Sequence, residues 1–343
     1  MGGMRIGILI WCYLFVATNV FTIFSNPPGM NADRRYAFTS MVLGDAARPY
    51  VYRALMPQLT RWVSALIPNS FFAYYEKYRW QDWMQRELDR TQTPLELRKE
   101  WILYSWLAIL CFAGLGWSLH SLLDYFYPEN ASWSHLWGLL GLSFLPLLFD
   151  FHGQMYDPAS AVIFPLAFLA MVKRWRGLYY LWFLLATLNK ETAFLLVGFY
   201  VIDSWGERRW LDWLTQGGVY IFITVGLRWL YRYNPGDHVE NQLSNNLHVL
   251  SSVSLVLLST WIKLFLMIGS IWVGRRQRAA LLRHCLLWSM GVLIPLWLVY
   301  GRFAEIRGFL ECYFLLFLLA YPNLCDLFSS HSDGTFRRVL RPE

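Results

Sequence analysis

Lys190 and Glu191 stand side by side in the middle of Gly177 to Trp205, GLYYLWFLLATLNKETAFLLVGFYVIDSW, with an apolar stretch on either side. A charge held at the centre of a membrane span costs a few kcal/mol, so an ion pair there is a mark of function. Two readings are open: one tilted helix carrying a structural ion pair, or two short helices meeting at the pair, which would then sit at a protein-lined, water-filled mouth. Other ionisable residues collect in four more segments: Asp45 and Arg48, then Asp150, His152 and Asp157, then Asp237, His238 and Glu240, and last Arg302, Glu305 and Arg307. A carboxylate among them could act as a general base. Two arginines and a lysine facing one cavity would suit a phosphate or pyrophosphate. Asp150, His152 and Asp157 could hold a divalent metal, although their spacing matches no stringent ligand motif. Each has a plainer explanation: Asp45 caps a turn, Asp157 before Pro158 starts a helix, the histidines are solvated, and Arg302, Glu305 and Arg307 anchor span ends by snorkelling.

The elements that must position these residues are membrane helices. The chain has 343 residues, 56% apolar, 18% aromatic and only 15% charged. That composition predicts an all-α, polytopic transmembrane helical bundle. A net charge of +7 would suggest a nucleic-acid partner in a soluble chain. Here the basic residues fall in short clusters between apolar runs, and they read as topology signals and membrane-lipid contacts, with no nucleic acid. Cys12, Cys111, Cys285, Cys312 and Cys325 lie in or beside apolar runs without CxxC spacing, so free thiols are expected.

Arg5 to Phe24 reads as a retained first span. Further spans are expected near 101–122, 134–150, 157–172, 177–189, 192–205, 217–232, 250–273, 284–301 and 309–326, about ten in all. They form a single transmembrane domain over 1–330, followed by a cytoplasmic tail over 331–343. An even number places both termini on one face. Arg5, Arg337, Arg338 and Arg341 assign that face to the cytoplasm, and the basic loops 173–176, 206–209 and 274–278 agree. If 177–205 were one span, the two basic loops flanking it would lie on opposite faces, so charge favours two short broken helices. Residues 25–100 become a long outer loop with surface helices. Within it Tyr50 to Ile67 is amphipathic, with Tyr52, Leu55, Met56, Leu59, Trp62, Val63 and Leu66 on one arc and Arg53, Gln58, Arg61 and Ser64 on the other. Pro57 suggests a kink. A rival reading makes 51–75 a span, poorly suited by its two arginines and two prolines.

Three stretches carry a family resemblance: Gly44-Asp45 near the start of a long first outer loop, Tyr156-Asp157-Pro158-Ala-Ser-Ala-Val-Ile-Phe, and Leu188-Asn189-Lys190-Glu191-Thr192-Ala193. With the N-terminal span and the charged outer loops, the chain resembles the GT-C type of polytopic glycosyltransferases, the group of the dolichyl-phosphate mannosyltransferases and the bacterial lipid A aminoarabinose transferase. Many members carry two acidic residues in the first loop, and the stretch that carries the resemblance here, Gly44-Asp45, has one. The resemblance implies transfer of a sugar from a polyprenyl-phosphate-linked donor to a lipid, glycan or protein acceptor at the outer face of a bacterial inner membrane. It also implies Asp45 as general base, Arg48, Lys190, Arg302 and Arg307 at the donor phosphate, and Asp157, Glu191, His152 and Glu305 around the sugar or holding those cations. A non-catalytic glycolipid transporter and an accessory membrane subunit are the competing expectations.

Overall fold

The computed structural model describes residues 2–26, 30–31, 33–68, 70, 81–149, 153–207, 209–236, 241–251, 258, 262–263, 265, 269, 280–301 and 305–330. All regular structure among them is helical. In chain order the helices are α1 (Gly2–Phe24), α2 (Phe38–Leu43), α3 (Leu55–Leu66), α4 (Gln81–Thr91), α5 (Arg98–Phe126), α6 (Ser134–Phe144), α7 (Asp157–Val172), α8 (Arg176–Asn189), α9 (Phe194–Ser204), α10 (Trp210–Leu230), α11 (Leu243–Ser251), α12 (Ala280–Tyr300) and α13 (Tyr313–Ser330). Four segments are long and apolar enough to cross a membrane: Ile6–Phe24, Leu95–Phe126, Ala280–Tyr300 and Ile306–Cys325. Ser134–Leu148 and Asp157–Val172 are apolar but shorter. Most of the expected span at 250–273, and the tail 331–343, lie outside the described residues.

The stretch 177–205 folds back on itself. Tyr179 in α8 and Tyr200 in α9 have ring centroids 5.1 Å apart, and the Tyr179 hydroxyl donates to the Leu196 carbonyl at 2.9 Å. On one continuous helix Tyr179 and Tyr200 would be ~30 Å apart. The reversal falls at Lys190, whose extended backbone (φ −161°, ψ 146°) ends α8 before a single 3-10 turn over Glu191–Ala193 starts α9. At the other end Arg174 pairs with Asp203 at 2.6 Å and with Glu207 at 3.3 Å, so the two basic loops share one end of the bundle. Tyr125 brings the end of α5 there too, donating to the Val172 carbonyl at 3.2 Å. We call this the basic end.

The hairpin is short. Its 14-residue and 11-residue helices rise ~21 and ~16 Å, against ~30 Å of hydrocarbon. Accordingly, its tip meets α10 halfway along that 21-residue helix, where the Tyr220 hydroxyl donates to the Glu191 carbonyl at 2.8 Å. Glycine lets the layers close around it. A Cβ at Gly198 would fall 2.0 Å from the Trp288 indole, which locks α9 against α12. A Cβ at Gly153 would meet the Phe24 ring at 2.0 Å, so the loop before α7 lies directly on the end of α1.

The long first loop folds over the end opposite the basic one. In α3 the buried residues are Met56, Pro57, Thr60 and Ser64, while Trp62 and Leu66 are 66% and 82% exposed. The helix therefore packs on α5 through a small-residue edge and turns part of its expected apolar arc outward. Ser64 donates to Glu100 at 2.5 Å and Lys99 to the Ile67 carbonyl at 2.5 Å, which fixes α3 to the start of α5. Pro57 produces no kink, because it lies in the first turn of α3, where its missing N–H would have had no intrahelical partner.

Candidate functional site

The charged cluster is built where the hairpin tip, the start of α7 and the 3-10 segment Ile306–Cys312 before α13 converge. Lys190 Nζ lies 2.6 Å from Glu311 Oε1, and the Glu311 side chain is fully buried. Thr192 donates to the same oxygen at 2.8 Å. Arg307 lies 3.5 Å from Asp157 and 3.4 Å from Glu305, with side chains 9% and 2% exposed in the first pair. Asp157 also accepts from the Gln154 amide at 2.8 Å, closing the turn that starts α7. Its helix-start role and its pairing with Arg307 are therefore both real.

Arg53 completes the cluster. It reaches from the first loop to within 3.3 Å of Glu191 Oε2 and 3.3 Å of Gln154 Oε1, and it donates to the Tyr156 hydroxyl. Its guanidinium also lies 4.2 Å from the Tyr156 ring centroid and 5.3 Å from that of Tyr50. Lys190 stands 5.6 Å from the same Tyr156 ring. Tyr156 is thus the common wall of two cation sites.

Charge pairing in the cluster is close to complete. Arg53, Lys190 and Arg307 face Asp157, Glu191, Glu305 and Glu311, so each cation described here already has a carboxylate partner. Two buried acceptor atoms of this cluster, by contrast, have no donor among the described residues: Glu311 Oε2 and Asn189 Oδ1. The Asn189 orientation is fixed, because its Nδ2 donates to the Tyr156 carbonyl at 3.0 Å and to the Ser160 hydroxyl at 2.9 Å. Swapping the amide would set oxygen against oxygen. Buried acceptors of this kind accept hydrogen bonds from hydroxyl-bearing ligands or water.

Of the residues singled out in the sequence, Asp157, Lys190, Glu191, Glu305 and Arg307 come together. Asp45 does not enter the buried cluster: it is exposed on the loop after α2. That loop is held by its backbone, with Asn234 donating to the Gly44 carbonyl at 2.9 Å and to the Ala46 carbonyl at 3.0 Å. Gly44, at φ 84°, takes the left-handed conformation that ends α2. The Arg48 guanidinium donates to the Gly236 carbonyl at 2.6 Å, tying the loop to the turn after α10. His152, Arg302, Asp150, Asp237, His238 and Glu240 lie outside the described residues. Among the described residues no group of three or more His, Cys, Asp or Glu side chains is arranged to hold a metal ion. All five cysteines are free thiols.

Arg53 and Gln154 escaped the sequence reading of function, Tyr156 stood in a quoted run without a role, and Glu311 was an intramembrane charge without a partner. Glu311 was visible as a carboxylate inside an apolar run, and Lys190 as a cation inside another. Their complementarity was the available signal, but their wide separation in sequence hid the pairing. Comparison with protein-family models, with curated proteins and with solved structures finds no match to this chain.

Proposed function

We propose that this chain is an integral-membrane glycosyltransferase that moves a sugar from a polyprenyl-phosphate-linked donor to an acceptor. In this reading the chain crosses a bacterial inner membrane about ten times, with both termini cytoplasmic and the Lys190 end facing outward. The observation that carries the proposal is the pair of buried acceptors without donors, Glu311 Oε2 and Asn189 Oδ1, beside Lys190 and the Tyr156 wall. A polyhydroxylated ring supplies the donors such a site needs.

The acceptor hydroxyl or amine attacks the anomeric carbon, the bond from that carbon to the phosphate oxygen breaks, and the polyprenyl phosphate leaves with the electron pair. Asp45, exposed on its backbone-braced loop, takes the proton of the attacking group. Cations placed at the departing phosphate stabilise the developing charge; the candidates are Arg48, Lys190, Arg302 and Arg307. Because Lys190 and Arg307 are already paired, the phosphate engages them by sharing or exchanging Glu311, Asp157 and Glu305. Glu191 holds Arg53 beside the same wall.

Replacing Asp45 by Asn tests the assignment. Transfer from a radiolabelled polyprenyl-phosphate sugar should fall by about 10²–10⁴-fold while donor binding is retained, the range expected for loss of a general base. Unchanged transfer would remove Asp45 from the mechanism. The near-complete pairing of the described cations favours a second reading, a glycolipid transporter in which charge pairs exchange partners between states. That protein would keep its flux in the Asp45→Asn variant.

A further inference from the structure

The turn after α10 clasps the backbone on both sides of Asp45. Through the single nitrogen Nδ2, Asn234 donates to the Gly44 carbonyl at 2.9 Å and to the Ala46 carbonyl at 3.0 Å. From within the first loop, the Asp45 and Ala46 amides both donate to the Ser40 carbonyl, at 3.0 and 3.1 Å. The next residues of the turn carry the clasp onward. Arg48 N–H donates to the Pro235 carbonyl at 2.8 Å, and a Cβ at Gly236, which sits at φ 93°, would fall 3.1 Å from the Arg48 carbonyl oxygen. Gln58 of α3 joins the start of the same turn, donating to the Tyr231 hydroxyl at 3.1 Å.

The Asp45 side chain is treated in the opposite way. It is exposed, and its carboxylate makes no hydrogen bond or ion pair among the described residues. It does not cap the turn: left-handed Gly44 ends α2, and the bond from Asp45 to Ser40 uses the backbone amide. The backbone is therefore specified closely while the carboxylate is left open. Asparagine is suited to this clasp, because one amide nitrogen supplies two donors. Serine or threonine would donate once, and aspartate would set its oxygens against two carbonyls. The reversed amide orientation fails for the same reason. The support is shared with the charged cluster, since α10 also holds the hairpin tip through the bond from Tyr220 to the Glu191 carbonyl.

We infer that Asn234 is a positioning residue for the transfer reaction, acting through Asp45 and touching neither donor nor acceptor. The inference rests on the reading of Asp45 as the general base. A base must come within hydrogen-bond reach of the proton it takes, and a displacement of ~1 Å can cost ~10²-fold in rate. An exposed loop gives a carboxylate no such accuracy by itself. The two bonds from Asn234 supply it, and they fix Asp45 to the helix that also carries the hairpin tip.

The test is a double-mutant cycle on the full chain, with transfer from a radiolabelled polyprenyl-phosphate sugar as the readout. Asn234→Ala should lower kcat by ~10–10²-fold and leave the KM for the donor within ~2-fold of wild type. Added to Asp45→Asn, the same substitution should cost no more than ~2-fold further, because the residue it positions is already disabled. Asn234→Ser, which keeps one donor, should fall between Asn234→Ala and wild type, and it serves in the cycle if Asn234→Ala does not fold. An equal loss in both backgrounds marks a general structural role and overturns the proposal. Wild-type kcat in Asn234→Ala, beside a slow Asp45→Asn, removes Asn234 alone; wild-type transfer in Asp45→Asn removes the base itself. Amide hydrogen exchange over residues 40–48 needs no substrate: Asn234→Ala should speed it there and leave α5 unchanged, and unaltered exchange in that segment also overturns the proposal.

Discussion

At the residue scale the Lys190–Glu311 pair is the most consequential contact in the molecule. Breaking a buried pair from one side leaves an uncompensated charge, which typically costs about 3–5 kcal/mol. Glu311→Ala should therefore lower unfolding stability in detergent by about that amount, and Lys190→Met combined with Glu311→Leu should recover most of it. Chemical denaturation of the two variants beside the wild type checks this. Arg53 is next in weight because it joins the first loop to Glu191, Gln154 and Tyr156 at once. Arg53→Ala should reduce transfer without a large loss of stability, since its side chain is partly exposed; activity and melting measured on the same preparation separate the two effects. Arg53 was misread in the sequence for a physical reason. An unbroken amphipathic helix from Tyr50 to Ile67 puts it on the polar arc, whereas Tyr50–Tyr52 is a 3-10 turn and α3 begins only at Leu55. The turn between them frees Arg53 to aim into the bundle.

At the element scale the hairpin α8–α9 was legible because two independent physical signals agreed. An ion pair is costly in mid-span, and the basic loops on both sides ask for the same face. The ion pairs from Arg174 to Asp203 and Glu207 now join those loops. What the sequence could not reveal was depth, since apolar runs of a dozen residues do not say how far a hairpin reaches. Packing of the hairpin depends on Gly198, and Gly198→Ala should destabilise by about 1–3 kcal/mol, the usual cost of overpacking, because its new Cβ falls on the Trp288 indole. Trp288→Leu in the same chain should relieve part of that loss. Melting of the single and double variants decides it. The orientation of α3 was half legible: the exposed Trp62 and Leu66 fit an interfacial helix, but the face that packs on α5 uses Thr60 and Ser64, which hydrophobicity alone does not select.

For the whole molecule the membrane class was legible from composition, and the four long apolar helices bear it out. The shared cluster was not, because which loops converge depends on helix packing and no periodicity encodes it. Sidedness is tested by labelling single cysteines in a background lacking the five native thiols. Trp175→Cys and Gly206→Cys should react from the same face and Asn241→Cys from the other; Gly206 has open space around it. Reaction of positions 175 and 206 from opposite faces would dismantle the hairpin. The shallow reach of that hairpin has an electrical consequence. On the proposed topology, water reaching the polar cluster at mid-height of α10 would leave the insulating layer beneath Lys190 thinner than the surrounding bilayer, and the transmembrane voltage would drop over that remaining thickness. A unit charge moved through the whole potential gains ~2.3 kcal/mol per 100 mV. An anionic headgroup lowered onto Lys190 would cross little of that drop, so its docking should be nearly indifferent to membrane energisation, while any charge passed onward from Lys190 to the basic end would be driven or opposed by it.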